Sequence, residues 1–267
     1  MSVRVGVVVF PGSNCDADTA WALARAGAEP VELWHEHADL GGVAAVVLPG
    51  GFAYGDYLRA GVIARFSPVM RAVAGYAAEG GLVLGICNGF QVLAEAGLLP
   101  GALLRNRSLR FVCRDVTIRA ERVDTSFTHR VPEGRALRMP VAHGEGCYYA
   151  DEATLDALER EGRVLFRYVD DAGNPARVEG RENPNGSLRA IAGVLNAAGN
   201  VAGLMPHPER AADALLGSDD GMLVLRSLVE SAAARAQGST AIGEGSTAIG
   251  EGGAARATAM AATGTGR

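Results

Sequence analysis

Cys87 lies at a sharp turn between a predicted buried strand, Leu82–Ile86, and a predicted helix, Gly89–Ala96. The segment G-I-C-N-G around it has the form G-x-C-x-G, the thiol counterpart of the G-x-S-x-G nucleophile elbow. The two glycines permit a strained backbone, and the free N–H groups at the start of the helix favour a thiolate. Because free cysteine is also a common core residue, the elbow alone leaves a structural role open.

His207 is the best candidate for the base that a cysteine nucleophile needs. It lies in M-P-H-P-E, directly after the apolar strand Val201–Leu204. The two prolines restrict the backbone, and the H-x-E spacing in an extended segment puts His207 and Glu209 on the same side. Glu209 can then orient the imidazole or stabilise its protonated form. The alternative is a polar surface loop.

A third element, Pro49-Gly50-Gly51-Phe52, follows a predicted strand and could bring backbone N–H groups to a developing oxyanion. Its glycines allow a substrate to approach the backbone closely. The amide of Asn88, directly after the candidate nucleophile, would be the second donor. P-G-G alone is a common turn, so its expected position beside the elbow carries the argument.

The remaining histidines and cysteines suggest no second reactive centre. His35 and His37 form an H-x-H pair without further ligands nearby in sequence, which favours solvated surface, and we predict no metal site. His129 lies in a polar loop. The cysteines other than Cys87 are interpreted as structural, and Cys15, in a glycine-rich loop, is the best placed of them to line a pocket.

Composition excludes several classes of function. The chain has 267 residues, a net charge of -5 and 25 basic residues that are all arginine, so neither a Schiff-base lysine nor a P-loop lysine is present. The mild acidity gives no support to nucleic-acid binding. No apolar segment has the length of a membrane span, and four scattered cysteines suggest reduced thiols. We therefore expect a cytoplasmic protein.

Short apolar runs alternate with alanine-rich stretches, which predicts a parallel sheet covered by helices. We expect a flavodoxin-like α/β domain over residues 1–237, with a mostly parallel central sheet, helices on both faces and a small antiparallel extension. Residues 238–267 contain the repeat S-T-A-I-G-E-G twice and are expected to be a disordered tail. The predicted strands are Val3–Phe10, Pro30–Trp34, Ala44–Leu48, Leu82–Ile86, Val164–Tyr168, Ile191–Leu195 and Val201–Leu204, with antiparallel strands within Leu103–Val123. The predicted helices are Asp16–Ala26, Pro68–Glu79, Gly89–Ala96, Asp151–Glu161 and Met222–Ala236.

Together these motifs resemble the class I, triad-type glutamine amidotransferases. The elbow G-I-C-N-G-F-Q, the loop P-G-G-F and the late P-H-P-E stand in the order that this family uses. F-P-G-S-N-C-D, G-G-F-A-Y-G-D-Y-L-R-A-G, R-N-R-S-L-R-F and A-H-G-E-G narrow the resemblance to the glutaminase subunits of phosphoribosylformylglycinamidine synthases. It extends over about Val3–Ala236 and does not include the repeats.

The resemblance implies that Cys87 attacks the side-chain amide of glutamine to form a thioester. His207 would protonate the departing ammonia and then activate water, with support from Glu209. The resemblance also implies sets of oxyanion and substrate-binding residues. The oxyanion donors would be Asn88 and either Gly51 or Phe52. The glutamine pocket would be formed by Gln91, His143, Gly144 and Glu145, the last three acting through backbone groups.

The resemblance further implies a division of labour between chains. Ammonia would pass to a separate synthetase subunit that uses ATP and Mg²⁺ to convert formylglycinamide ribonucleotide, and a small third subunit would complete the complex. This chain would bind L-glutamine but no cofactor, nucleic acid or membrane.

Three rival interpretations stay open at this point. F-P-G-S-N-C-D argues against an amidotransferase subunit of another pathway. Asn88 argues against a DJ-1/PfpI-like hydrolase, because those proteins tend to have histidine directly after the cysteine. The intact set of Cys87, His207 and Glu209 argues against a non-catalytic glutamine-sensing subunit.

Overall fold

The computed structural model of this chain describes the backbone of residues 2–245 and the side chains of residues 2–237. Within these residues the chain forms strands β1 (Val3–Val9), β2 (Ala28–Trp34), β3 (Ala45–Leu48), β4 (Leu82–Ile86), β5 (Ala102–Leu104), β6 (Val112–Ala120), β7 (Ala136–His143), β8 (Cys147–Tyr149), β9 (Val164–Tyr168), β10 (Ile191–Leu195) and β11 (Val201–Leu204). The helices are α1 (Asp16–Arg25), α2 (Pro68–Ala78), α3 (Asn88–Glu95), α4 (Glu152–Arg160) and α5 (Gly221–Gly245).

Nine strands form one sheet in the order β2-β1-β3-β4-β11-β10-β9-β6-β7. The first five run parallel, in the order typical of flavodoxin-like folds, and the other four pairings are antiparallel. The predicted fold class is therefore confirmed. The antiparallel extension is four strands wide and continuous with the parallel part, while β5 and β8 form a separate small sheet.

The parallel strands are buried because they are continuous apolar runs between two layers of helix. Every residue of β3, β4 and β11 is buried. Helices α1 and α5 pack against each other and against β1, whereas α2 and α3 pack against β4. From β1 the chain crosses over to β2 on one side, and from β3 it crosses over to β4 on the other side. Because both crossovers are right-handed, their helices lie on opposite faces of the sheet. Four neighbouring strands, β1, β3, β4 and β11, thus end at one edge between the two layers.

Two features differ from the sequence expectations. Strands β7 and β8 were not anticipated, although β7 pairs with β6 over eight residues. Helix α5 continues past Ala236 to Gly245, so residues 238–245, which were expected to belong to a disordered tail, have helical backbone. The rest of the expected tail, residues 246–267, lies outside the described residues. None of the described helices combines the length and the apolar character needed to cross a lipid bilayer.

Candidate active site

The elbow around Cys87 is strained and tightly packed. Cys87 has φ 49° and ψ -105°, a left-handed conformation that side-chain-bearing residues rarely adopt, and it is 4% exposed. A Cβ atom on Gly85 would lie 2.6 Å from Leu93, and one on Gly89 would lie 2.6 Å from the carbonyl carbon of Leu48. The turn that holds the thiol therefore requires glycine at both positions.

His207 and Glu209 form a buried hydrogen-bonded pair at the end of β11. The distance from His207 Nδ1 to Glu209 Oε1 is 2.6 Å, and each residue is about 1% exposed. The backbone N–H of His207 donates to the carbonyl of Pro140 at 2.9 Å, which fixes the ring relative to β7. His207 Nε2 has no hydrogen-bond partner among the described residues, so this nitrogen is free for proton transfer.

The surroundings of His207 favour its protonated form. Burial acts to lower the pKa of His207, but the charges of Glu209 and Cys87 outweigh it and hold the pKa well above its ordinary value. The Cys87 Sγ atom also lies 3.8 Å from the carbonyl oxygen of Ala142 on β7. A buried imidazolium beside a thiol is the arrangement that activates a cysteine nucleophile.

The backbone donors near the thiol are unequally available. The N–H of Phe52 donates to the carbonyl of Gly12 at 2.9 Å, which leaves Gly51 as the candidate from this loop. Gly51 has φ 149°, and a Cβ atom there would lie 2.8 Å from the backbone of Ser13. Asn88 is the first residue of α3, so its N–H has no partner inside the helix. We keep Gly51 and Asn88 as the predicted oxyanion donors and regard Phe52 as the weaker alternative.

The expected glutamine pocket is organised by an amide network beside the elbow. Asn88 Oδ1 accepts the N–H of Ala53 at 3.0 Å, and Asn88 Nδ2 donates to Gln91 Oε1 at 2.9 Å. Gln91 Nε2 in turn donates to the backbone carbonyl of Glu145 at 2.5 Å. The side chain of Gln91 is 6% exposed. The network therefore fixes the segment around Glu145 relative to the elbow that holds Cys87.

His143 is held between two asparagine side chains, and we keep it as a predicted residue of the glutamine-binding loop. Its Nδ1 lies 3.0 Å from Asn106 Oδ1, and its Nε2 lies 3.4 Å from Asn185 Nδ2. Burial, with repulsion from His207, lowers the pKa of His143 to about 4. Asn106 also donates to the carbonyl of His143 at 2.8 Å, and its own N–H donates to the carbonyl of Gly144 at 2.9 Å. Asn106 lies in the quoted motif R-N-R-S-L-R-F, but its role as organiser was not predicted.

Comparison with known proteins agrees with this geometry. Residues 2–219 match the family described as CobB/CobQ-like glutamine amidotransferase domain. The chain belongs to this family. Two relatives carry the same description, phosphoribosylformylglycinamidine synthase subunit PurQ. The protein from Rubrobacter xylanophilus is 61% identical over 86% of this chain and 99% of its own length. The protein from Chlorobaculum parvum is 57% identical over 89% and 93%.

A solved structure of PurLQS from Thermotoga maritima matches this amidotransferase with a TM-score of 0.75. The identity is 44%, over 86% of this chain and 99% of the matched one. The matches favour the glutamine amidotransferase interpretation over a DJ-1/PfpI-like hydrolase. They also agree with the narrower resemblance, because the relatives are named as subunits of phosphoribosylformylglycinamidine synthase.

Cys15 lies closer to the His207–Glu209 pair of this amidotransferase than the sequence indicates. It is 2% exposed, and it presents a donor atom within 4.8 Å of donor atoms of His207 and Glu209. The His207–Glu209 hydrogen bond and a contact between Arg210 Nη2 and Cys15 Sγ, at 3.0 Å, explain this proximity without a metal ion. No motif predicts the contact, because it joins loops that follow β1 and β11, and two other strands lie between these in the sheet.

His35 corrects one sequence expectation. It is 9% exposed and therefore buried, not solvated, and its Nδ1 lies 2.7 Å from the hydroxyl oxygen of Tyr54. His37 is exposed, as expected. The two side chains thus have different environments, and the H-x-H pair does not act as a unit.

Asp56 is an ionisable group beside the pocket that the sequence analysis did not single out. It is partly buried, and Asn88 Nδ2 donates to its Oδ1 at 3.3 Å. Burial and the nearby charge of Glu145 raise the pKa of Asp56 to about 6, although the Asn88 hydrogen bond acts in the opposite direction. Because the folded protein holds this proton more tightly than the unfolded chain, the stability that Asp56 contributes is lost as pH rises through about 6.

We expect Asp56→Asn to stabilise the fold at pH 7.5 by about 1 kcal/mol, after allowing for partial solvent screening. The gain should disappear near pH 4, where the wild-type carboxyl is already protonated. Urea unfolding at the two pH values measures both effects, and the exposed Asp171→Asn is the matched control. A gain that is the same at both pH values would show that the carboxylate charge is not its cause.

Proposed function

We propose that this chain is the glutaminase subunit of a phosphoribosylformylglycinamidine synthase. The observation that carries the proposal is the buried His207–Glu209 pair, at 2.6 Å, beside a cysteine held at positive φ on an elbow. The names and the high identity of the relatives support the substrate and the complex. We assign the amidotransferase domain to residues 1–237 and treat residues 238–267 as a separate tail.

The reaction begins with attack of the Cys87 thiolate on the side-chain carbonyl carbon of glutamine. The oxyanion that forms accepts hydrogen bonds from the backbone N–H groups of Gly51 and Asn88. His207 donates a proton to the departing nitrogen, and ammonia leaves as the C–N bond breaks. The product of this half-reaction is a γ-glutamyl thioester on Cys87.

Hydrolysis of the thioester uses the same groups in reverse. His207, now neutral, takes a proton from water, and the hydroxide attacks the thioester carbonyl. The second oxyanion collapses, glutamate leaves, and the thiolate–imidazolium pair is restored. Glu209 keeps Nδ1 of His207 protonated in both steps, so Nε2 is the nitrogen that exchanges protons with substrate.

The ammonia is used by a partner synthetase subunit, which converts formylglycinamide ribonucleotide with ATP and Mg²⁺. A small third subunit is expected in the same cytoplasmic complex. The chain itself binds L-glutamine, through the pocket around Gln91, His143, Gly144 and Glu145, and needs no cofactor of its own.

Glutamate release tests the proposal directly. The chain is assayed with glutamine alone, with the cognate synthetase, and with both the synthetase and the small subunit. We expect glutamate to form in step with the amidine product when the complex is complete. Ammonia-dependent synthesis with no glutamine-dependent synthesis in the complete complex would refute the assignment.

A further inference from the structure

Arg210 presents a charge problem beside the catalytic pair. It follows Glu209 directly in the sequence, and the two charges attract each other. Its guanidinium nevertheless makes no ion pair with Glu209 within 4.0 Å among the described residues. Nη2 donates to Cys15 Sγ at 3.0 Å, and Nε lies 3.5 Å from Asp18 Oδ2.

The second carboxylate oxygen of Glu209, Oε2, is a buried acceptor with which the Arg210 guanidinium would be expected to pair. The Glu209 side chain is completely buried, and within the described part of the chain Oε2 has no hydrogen-bond partner. A guanidinium on this oxygen would draw carboxylate charge away from Oε1. The hydrogen bond from His207 Nδ1 would weaken, and the buried imidazolium would lose support.

We infer that Cys15 is a positioning residue that holds the Arg210 guanidinium away from Glu209, so that the carboxylate serves His207 alone. This inference rests on the proposed glutaminase function, since it assigns a task within that reaction. The evidence for it is the short contact between Arg210 and the sulfur, combined with the unoccupied oxygen of Glu209.

Cys15 is fixed well enough to perform this task. Its backbone N–H donates to the carbonyl of Gly50 at 3.2 Å, and its thiol donates to Asn14 Oδ1 at 3.3 Å. A Cβ atom on Gly50 would lie 3.1 Å from the sulfur and 2.6 Å from His207 Cε1, so glycine at position 50 leaves room for both side chains. The Cys15 sulfur thus accepts a hydrogen bond from Arg210 and adds no second carboxylate next to the buried His207–Glu209 pair.

The ionisable groups around His207 determine how its pKa appears in the pH dependence of activity. Glu209 lies on its own segment, Cys87 on the elbow, Cys15 before α1, His143 on β7, and Arg210 beside Glu209. His143 is neutral over the working range because its pKa is about 4. Movement of Arg210 onto Glu209 would therefore lower the pKa of His207, and the loss of activity on the basic side would begin at lower pH.

The test is a double-mutant cycle in the reconstituted complex, with Cys15→Ala, Arg210→Gln and the combined variant. Cys15→Ala is expected to lower kcat about tenfold, to leave KM for glutamine within about twofold, and to move the basic limb down by about one pH unit. In the Arg210→Gln background, Cys15→Ala is expected to change these quantities much less, leaving only the effect of the direct contact between Cys15 and His207. Cys15→Ser, which keeps an acceptor, should recover most of the lost kcat.

A parallel measurement separates this inference from the proposed function. NMR titration of the His207 imidazole in the full chain reports the same shift without turnover. A lower pKa in Cys15→Ala that is restored in the double variant supports the inference, even if the complex releases no glutamate and the proposed function fails. Equal losses in both Arg210 backgrounds would make Cys15 a packing residue, and an unchanged profile in Cys15→Ala would also overturn the inference.

Discussion

Cys87→Ala is expected to lower glutamine-dependent synthesis by at least about 10³-fold while ammonia-dependent synthesis continues. The thiol is the group that forms the proposed thioester, and no other side chain at the elbow can replace it. The reaction of free ammonia needs only the synthetase, so its rate should stay within about twofold of wild type. Both rates are measured in the same reconstituted complex, with either glutamine or ammonium chloride as the nitrogen source.

Cys113→Ala is the matched control, because Cys113 is an exposed cysteine on β6 that is not part of the elbow. It should behave as wild type with both nitrogen sources. Retained glutamine-dependent turnover in Cys87→Ala would exclude Cys87 as the nucleophile. Loss of both activities would instead show that the substitution disrupts the complex.

The parallel half of the fold was predictable because its signals are local. Strands β4 and β11 begin and end at the predicted residues, since each is a short apolar run preceded directly by glycine or asparagine. The proposed catalytic residues were predictable for the same reason. An elbow after β4 and P-H-P-E after β11 must lie close together once those strands are neighbours in a parallel sheet.

Strand β7 was not predicted because its sequence, A-L-R-M-P-V-A-H, contains Pro140, which weakens a strand pattern. The residues Leu137, Met139, Val141 and His143 are nevertheless buried in alternation, as expected for a half-covered strand. This strand is important for the site, since its carbonyl groups contact both His207 and Cys87. Pairing with β6 outweighs the local signal.

Other features of the site depend on contacts that no local pattern encodes. The sequence left Gly51 and Phe52 equivalent as donors, and only the hydrogen bond from Phe52 to Gly12 distinguishes them. The Cys15–Arg210 contact joins residues 195 positions apart. The raised pKa of Asp56 likewise depends on its burial in the folded protein and on the charge of Glu145, which lies in a distant loop.

Gly89→Ala is expected to destabilise the fold by about 3 kcal/mol and to abolish the glutaminase reaction. A Cβ atom at this position would lie 2.6 Å from the carbonyl carbon of Leu48 and closer still to its oxygen. Leu48 is part of the buried strand β3 and cannot move without disturbing the sheet. Helix α3 must therefore shift, and the N–H of Asn88 shifts with it. Urea unfolding measures the loss of stability, and glutamate release in the complex measures the loss of activity.

Gly75→Ala provides a control in which the same atom is added to another helix. Gly75 lies in α2 and has no atom within 4 Å of the position that a Cβ would occupy. Alanine there should stabilise the protein by about 0.5 to 1 kcal/mol, because glycine is the poorer helix former. If Gly89→Ala were as stable as Gly75→Ala, contact between α3 and β3 could not be what fixes the elbow. If it were destabilised but fully active, the geometry of the elbow would not depend on that contact, and the strain at Cys87 would need another source.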